Sequence, residues 1–171
     1  MKYLVRKFSK PKWTLIPEDT GNYRNLQAEV LSTCIKTSQN TLSVWGVDTH
    51  EWDEIKPVLA ALFSSSDNPT RTDVIILEKN VVEHLGIELQ QTDGITPAVD
   101  EVNKLHFNLI DIDLNKVEAF ASLMYSENTK SENPFIRRFR EKEVIEIVKS
   151  SIAARQIDPD KLKGNWSKHI A

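Results

Sequence analysis

The passage His106–Tyr125 constrains the fold more than any other part of the chain, because in it a short apolar run turns directly into a helical pattern. Phe107 and Leu109 belong to a run that is typical of a strand buried on at least one face. A strand that leads into an amphipathic helix is the basic unit of a layered α/β domain. The apolar positions that predict one buried helical stripe are Leu114, Val117, Phe120, Ala121 and Met124.

The same alternation of strand-like and helix-like segments runs along the rest of the chain. Strands are predicted at Lys2–Phe8, Thr41–Val47 and Asp73–Leu77. A helix is predicted from about Tyr23, between the first two strands, and a further helix after each of the last two. Gly86 is placed to end the helix that follows the third strand. This order favours a mixed sheet covered by helices. We therefore predict an α/β fold, a single domain with a mixed four- to five-stranded sheet.

A polar stretch divides the chain near its carboxyl end. We expect residues 1–126 to form the α/β domain, residues 127–133 to be a linker, and residues 134–171 to be a helical segment packed on the same core. Phe135 and Phe139 lie four positions apart, which is the spacing of core residues on one face of a helix.

Composition excludes several classes of protein. The five glycines are never paired at the spacing of a phosphate-binding loop, so no nucleotide fingerprint is present. The one cysteine, Cys34, cannot form an intramolecular disulfide. Neither a signal peptide nor an apolar run of transmembrane length is visible. We expect a cytoplasmic protein with no cofactor and no membrane association.

Charge is strongly segregated along the sequence, although the net charge is only −3. Residues 1–13 carry five basic side chains and no acid, and residues 129–171 carry 10 basic and 6 acidic side chains. Residues 14–128 carry 7 basic and 19 acidic side chains. An acidic body attracts a basic partner and speeds the encounter with it, so this pattern bears on association.

The densest acidic cluster holds Asp48, Glu51, Asp53 and Glu54, with His50 and Trp52 among them. Such a set could bind a divalent ion or act in acid–base catalysis. No second histidine follows at the spacing of a zinc-protease helix. The alternative is a helix start, with Asp48 and Glu51 at the spacing of a reciprocal cap and the acids favoured by the positive end of the helix.

Two further groups have both a functional and a structural interpretation. Asp111 and Asp113 follow a strand, where a carboxylate pair can hold Mg²⁺, but Asp113 is also well placed as a helix N-cap. Arg137, Arg138 and Arg140 alternate with phenylalanines, a pattern that could contact nucleic acid. The structural alternative for them is a solvated helix with ion pairs.

The sequence favours a non-catalytic intracellular protein that docks on a macromolecular partner, with a basic protein as the expected partner. An inhibitor, an immunity protein or an antitoxin would be examples of this class. One alternative is a small metal-dependent hydrolase or nuclease, for which Asp111 and Asp113 are weak metal candidates. The other is a nucleic-acid-binding adaptor that uses the basic C-terminal helix. The candidate partner-binding residues are Asp48, Glu51, Trp52, Asp53, Glu54, Arg137, Arg138 and Arg140.

Overall fold

The computed structural model describes residues 1–13, 29–35 and 38–170. Within those ranges the protein has six strands and seven α-helices, and none of these helices is long and apolar enough to cross a membrane. The strands are β1 Tyr3–Phe8, β2 Leu42–Val47, β3 Thr72–Glu78, β4 Glu88–Gln91, β5 His106–Ile110 and β6 Ile136–Phe139. The helices are α1 Glu29–Thr33, α2 Lys56–Ser64, α3 Lys79–His84, α4 Asp100–Asn103, α5 Leu114–Thr129, α6 Glu141–Ala153 and α7 Ser167–Ile170.

The strands form one sheet in the order β4-β5-β2-β1-β3-β6, and every neighbouring pair is antiparallel. The α/β class predicted from the sequence is confirmed, but the expected sheet of four or five mixed strands is wrong. The helix between β2 and β3 is the kind of connection that joins parallel strands, and these two strands are in fact parallel. They do not pair with each other, because β1 lies between them and is antiparallel to both.

The sheet separates two apolar cores, because successive side chains of a strand point to opposite faces. On β1, Leu4 and Phe8 enter one core, and Val5 enters the other. The first core is covered by α1, α3 and α5, and the second by α2, α4 and α6. Trp166, near the carboxyl end, is fully buried in the second core, where its indole N–H donates to the Ser66 carbonyl at 2.7 Å. The fold is therefore a three-layer α/β/α sandwich.

The strand-to-helix passage has the predicted form, with one exception on the helix. Residues His106–Ile110 are β5, and α5 begins at Leu114 after Asp113, whose side chain accepts from the Lys116 N–H at 2.9 Å. Phe120, Ala121 and Met124 are buried. Leu114, expected in the same stripe, is 86% exposed. It is the first residue of the helix and lies beyond the edge of the core.

The carboxyl-terminal third departs from prediction in two places. Residues 127–129, expected in a linker, continue α5. Residues 136–139, expected in a helix, form the edge strand β6, which pairs with β3 from Thr72↔Phe139 to Ile75↔Ile136. The helix prediction that begins near Tyr23 lies largely outside the described residues. Gly86 does end α3 as predicted, with a φ of +72° that suits glycine.

Two basic side chains of the amino-terminal segment lie on the central strand β1. The Arg6 guanidinium donates to the carbonyls of Cys34 and Ser43, and burial lowers its pKa to about 10. The Lys7 ammonium donates to the Ser66 hydroxyl at 2.9 Å on the opposite face, and burial lowers the pKa of Lys7 to about 8. The run of positive charge in the sequence is therefore partly inside the protein.

The lowered pKa of Lys7 predicts a pH dependence of stability. Between about pH 8 and the ordinary pKa of lysine near 10.4, the unfolded state binds more protons than the folded state, so the free energy of unfolding rises with pH. The variant Lys7→Met removes this term. Urea unfolding of both proteins at pH 7.5 and pH 9.5 should show the wild type gaining about 2 kcal/mol relative to the variant. Equal changes in the two proteins would contradict the assignment.

Candidate docking face

The turn that follows β2 crosses to β6, which lies three strands away in the sheet. The Trp52 indole N–H donates to the Pro134 carbonyl at 3.1 Å, directly before β6. The Trp52 ring also meets Phe139 edge-on, with 5.6 Å between the ring centroids. Phe139 in turn packs against Phe63 of α2 at 5.3 Å. Trp52 therefore connects the acidic turn, residues 48–54, to Phe139 of β6.

The acidic residues of this turn point into solvent and do not cap α2. That helix begins at Lys56, because Pro57 is tolerated only in a first turn. Asp48 lies 2.5 Å from the N-terminal ammonium, which lowers the pKa of that carboxyl. Asp53 lies 2.8 Å from the Lys56 ammonium, and this contact lowers its pKa too. Asp48, Glu51 and Asp53 are 81%, 66% and 85% exposed, so each is available to a partner.

An aromatic group borders the turn on one side. His50 packs edge-on against Tyr3 and against Phe135, with 5.2 Å between the ring centroids in each pair. The His50 Nε2 lies 3.5 Å from the Glu51 carboxylate. These rings are partly exposed, and they place an aromatic cluster next to solvent-facing carboxylates.

A cleft of about 300 Å³ lies on the other side, between the turn, β6 and α6. The Arg137 guanidinium lies 4.6 Å from the centre of the Phe139 ring and 3.1 Å from the Glu143 carboxylate. The Arg140 backbone N–H also donates to Glu143, at 2.9 Å, and this bond is the main cause of the lowered pKa of that carboxyl. The cleft is lined by Trp52, Asp53, Lys56, Arg137, Phe139, Glu143, Glu146, Ile147 and Ser150.

The structure separates the three arginines that the sequence groups together. Arg137 faces the cleft, whereas Arg138 points to the opposite face of the sheet and donates to both oxygens of Asp73, at 2.6 and 3.1 Å. Those bonds raise the pKa of Arg138. Arg140 precedes α6 and fixes its first turn through its backbone. The helical basic stripe that a nucleic-acid adaptor would need is replaced by a strand with arginines on both faces.

Asp111 and Asp113 are exposed and have separate roles. Asp113 caps α5, and Asp111 has a φ of +52° and accepts the Lys116 ammonium at its carbonyl, at 3.1 Å. Among the described residues, no three side chains of His, Cys, Asp or Glu lie together as a metal-binding group.

The turn is a partner-binding prediction from the sequence and stays one, and most of the side chains that surround it in the structure were not predicted. Tyr3, Phe135, Phe139 and Glu143 all contribute, and they come from three separate segments. Of these four residues, only Phe135 and Phe139 form a pattern in the sequence, a spacing of four positions. That spacing predicted one face of a helix, whereas the residues lie in and next to a strand. A scan against protein-family models and searches of curated proteins and of solved structures find no match to this chain.

The separation of the arginines predicts unequal effects on stability. Arg138→Met leaves the buried Asp73 carboxylate without its guanidinium and should lower the free energy of unfolding by about 2 kcal/mol. Arg137→Met, the matched control, removes a surface pair and should cost less than about 0.5 kcal/mol. Urea denaturation measures both values. A larger loss in Arg137→Met than in Arg138→Met would contradict these positions.

The Asp113 N-cap predicts that two neighbouring substitutions change stability by different amounts. Asp113→Ala should lower the free energy of unfolding by about 1 kcal/mol, because the first turn of α5 loses its acceptor. Asp111→Asn should be nearly neutral, since asparagine also tolerates a positive φ. Thermal melting with and without millimolar Mg²⁺ checks the metal alternative. A rise in melting temperature that Asp111→Asn abolishes would support a metal site there.

Proposed function

We propose that this protein is a non-catalytic binding protein that docks on a macromolecular partner through the acidic turn of residues 48–54 and the neighbouring cleft. The partner is a protein with a basic surface. An inhibitor, immunity protein or antitoxin that covers a basic enzyme surface would act in this way. The proposal covers binding only and assigns no reaction to the protein.

The observation that carries the proposal is the arrangement around Trp52. Its half-buried ring is fixed by a hydrogen bond and by Phe139, so it can serve as an anchor that loses little conformational entropy on binding. Exposed carboxylates surround it at Glu51 and Asp53. A rigid aromatic anchor with a charged rim is the arrangement that typically provides affinity at its centre and steering at its edge.

The two alternatives have less support from the geometry. A metal-dependent hydrolase needs carboxylates that converge on one ion, and no such group is found among the described residues. The arginines lie on opposite faces of a strand, whereas a nucleic-acid adaptor needs a continuous basic face.

Recovery of partners from the native cells tests the proposal. The tagged protein is cross-linked in its own cells, purified and compared with the variants Trp52→Ala and Glu51→Lys. We expect a basic protein to be recovered with the wild type, and its affinity to fall about thirtyfold with Trp52→Ala, since a hot-spot residue contributes roughly 2 kcal/mol. Glu51→Lys, which reverses a charge at the rim, should also lower recovery. Recovery should also fall as salt is raised.

A charge-matched control distinguishes a local effect at the docking face from an effect of net charge. Asp160→Lys changes the net charge by the same amount as Glu51→Lys but lies on the short helical turn Pro159–Lys161. Binding should survive this change. A companion recovered equally with all four proteins, or no companion at all, would contradict the proposal.

A further inference from the structure

Among residues 1–13, 29–35 and 38–170, β4 pairs with β5 alone and forms one edge of the sheet. The Thr92 N–H donates to the His106 carbonyl at 3.2 Å. Because hydrogen-bonded positions alternate along an antiparallel pair, the backbone groups of Gln90 and Glu88 also face β5. The N–H and C=O groups of Leu89 and Gln91 therefore point away from β5. Within the described part of the chain, no backbone group bonds to them.

The opposite edge, β6, is more fully occupied. Its outward N–H groups belong to Ile136, Arg138 and Arg140. Ile136 donates to the Asn133 carbonyl at 3.2 Å, and Arg140 donates to the Glu143 carboxylate at 2.9 Å. Among the outward N–H groups of β6, that of Arg138 alone has no acceptor in the described part of the chain, whereas β4 offers two such donors, those of Leu89 and Gln91. A strand can therefore be added at β4 more readily than at β6.

One exposed apolar side chain follows β4 along the chain. Ile95, four residues after Gln91, is 100% exposed, the most exposed large apolar side chain described in the chain. An added strand that extends past Gln91 would have this side chain to pack against.

The surroundings of this edge are acidic. The exposed carboxylates on β4 and on the turn and helix that follow it are Glu88, Asp93, Asp100 and Glu101. The exposed basic side chain of the same segment is Lys104. Burial lowers the pKa of His106, so its ring stays neutral at pH 7. The edge therefore has the charge that complements a basic chain.

We propose that the β4 edge binds an extended basic segment of a partner protein as an added antiparallel or parallel strand. The segment bonds to the outward N–H and C=O groups of Leu89 and Gln91, its basic side chains meet the surrounding carboxylates, and an apolar side chain covers Ile95. Backbone pairing supplies affinity, and the side chains supply selectivity. This surface is separate from the Trp52 cleft and extends the proposed function to a second contact.

A peptide of alternating lysine and valine, six residues long with blocked ends, is the probe. Titration into the full chain, followed by amide hydrogen exchange detected by NMR, should show slower exchange at Leu89 and Gln91. Affinity should fall steeply between 50 and 300 mM salt, since close charge pairs are screened. The same peptide with glutamate in place of lysine should not bind.

Variants separate backbone pairing from charge. Gln91→Pro removes an outward donor without breaking a bond to β5, and it should weaken peptide binding at least about fivefold. Gln91→Ala keeps that donor and is the matched control, with binding unchanged. Glu88→Gln should weaken binding about threefold by removing one charge. Circular dichroism confirms that each variant is folded.

Three results would overturn the inference. One is equal peptide binding by Gln91→Pro and Gln91→Ala, and another is equal binding of the glutamate peptide. The third is slow exchange at Leu89 and Gln91 without peptide that appears only as protein concentration rises, which would assign the edge to a second copy of this chain. Trp52→Ala should leave peptide binding unchanged, so the two surfaces succeed or fail independently.

Discussion

The candidate face depends on the pairing of β6 with β3, which the buried Asp73 carboxylate secures. Asp73 accepts two bonds from Arg138 and a third from the Lys10 N–H at 2.9 Å, so one side chain ties β3 to β6 and to the segment after β1. Once Arg138 points to that face of the sheet, strand alternation sends Phe139 and Arg137 to the other. Trp52 then has a ring to pack against, and the acidic turn is held beside the cleft.

The local elements could be predicted from the sequence better than their arrangement. The strand-to-helix passage, the Asp113 cap and the Gly86 helix end are local signals, and all three are present in the structure. The segment 135–139 shows why others failed. A spacing of four places Phe135 and Phe139 on one face of a helix and also on one face of a strand, since four is close to the helical period and a multiple of the strand period. Only pairing with β3 decides between them.

The order of the strands in the sheet is a second property that hydrophobic periodicity does not predict. A strand, a helix and another strand predict a parallel pair, and β2 and β3 are indeed parallel to each other. The amino-terminal β1 inserts between them, which makes every contact in the sheet antiparallel. No short-range feature of Tyr3–Phe8 signals a central strand, and its Arg6 and Lys7 argue against one. Their burial is offset by bonds to carbonyls and hydroxyls from three other segments.

Charge along the sequence and charge on the surface are therefore different quantities in this protein. The amino-terminal run contributes less positive charge to the surface than its sequence suggests, because Arg6 and Lys7 are partly buried and hydrogen-bonded. The charge of Arg138 is likewise neutralised by Asp73. The acids of the turn and of the α5 cap stay at the surface instead, since Glu51, Asp53 and Asp113 all face solvent. Burial selects against bare charge, so the basic groups that fold inward must take partners. The proposal of a basic partner rests on this asymmetry between buried and exposed charge, because the net charge of −3 alone is small.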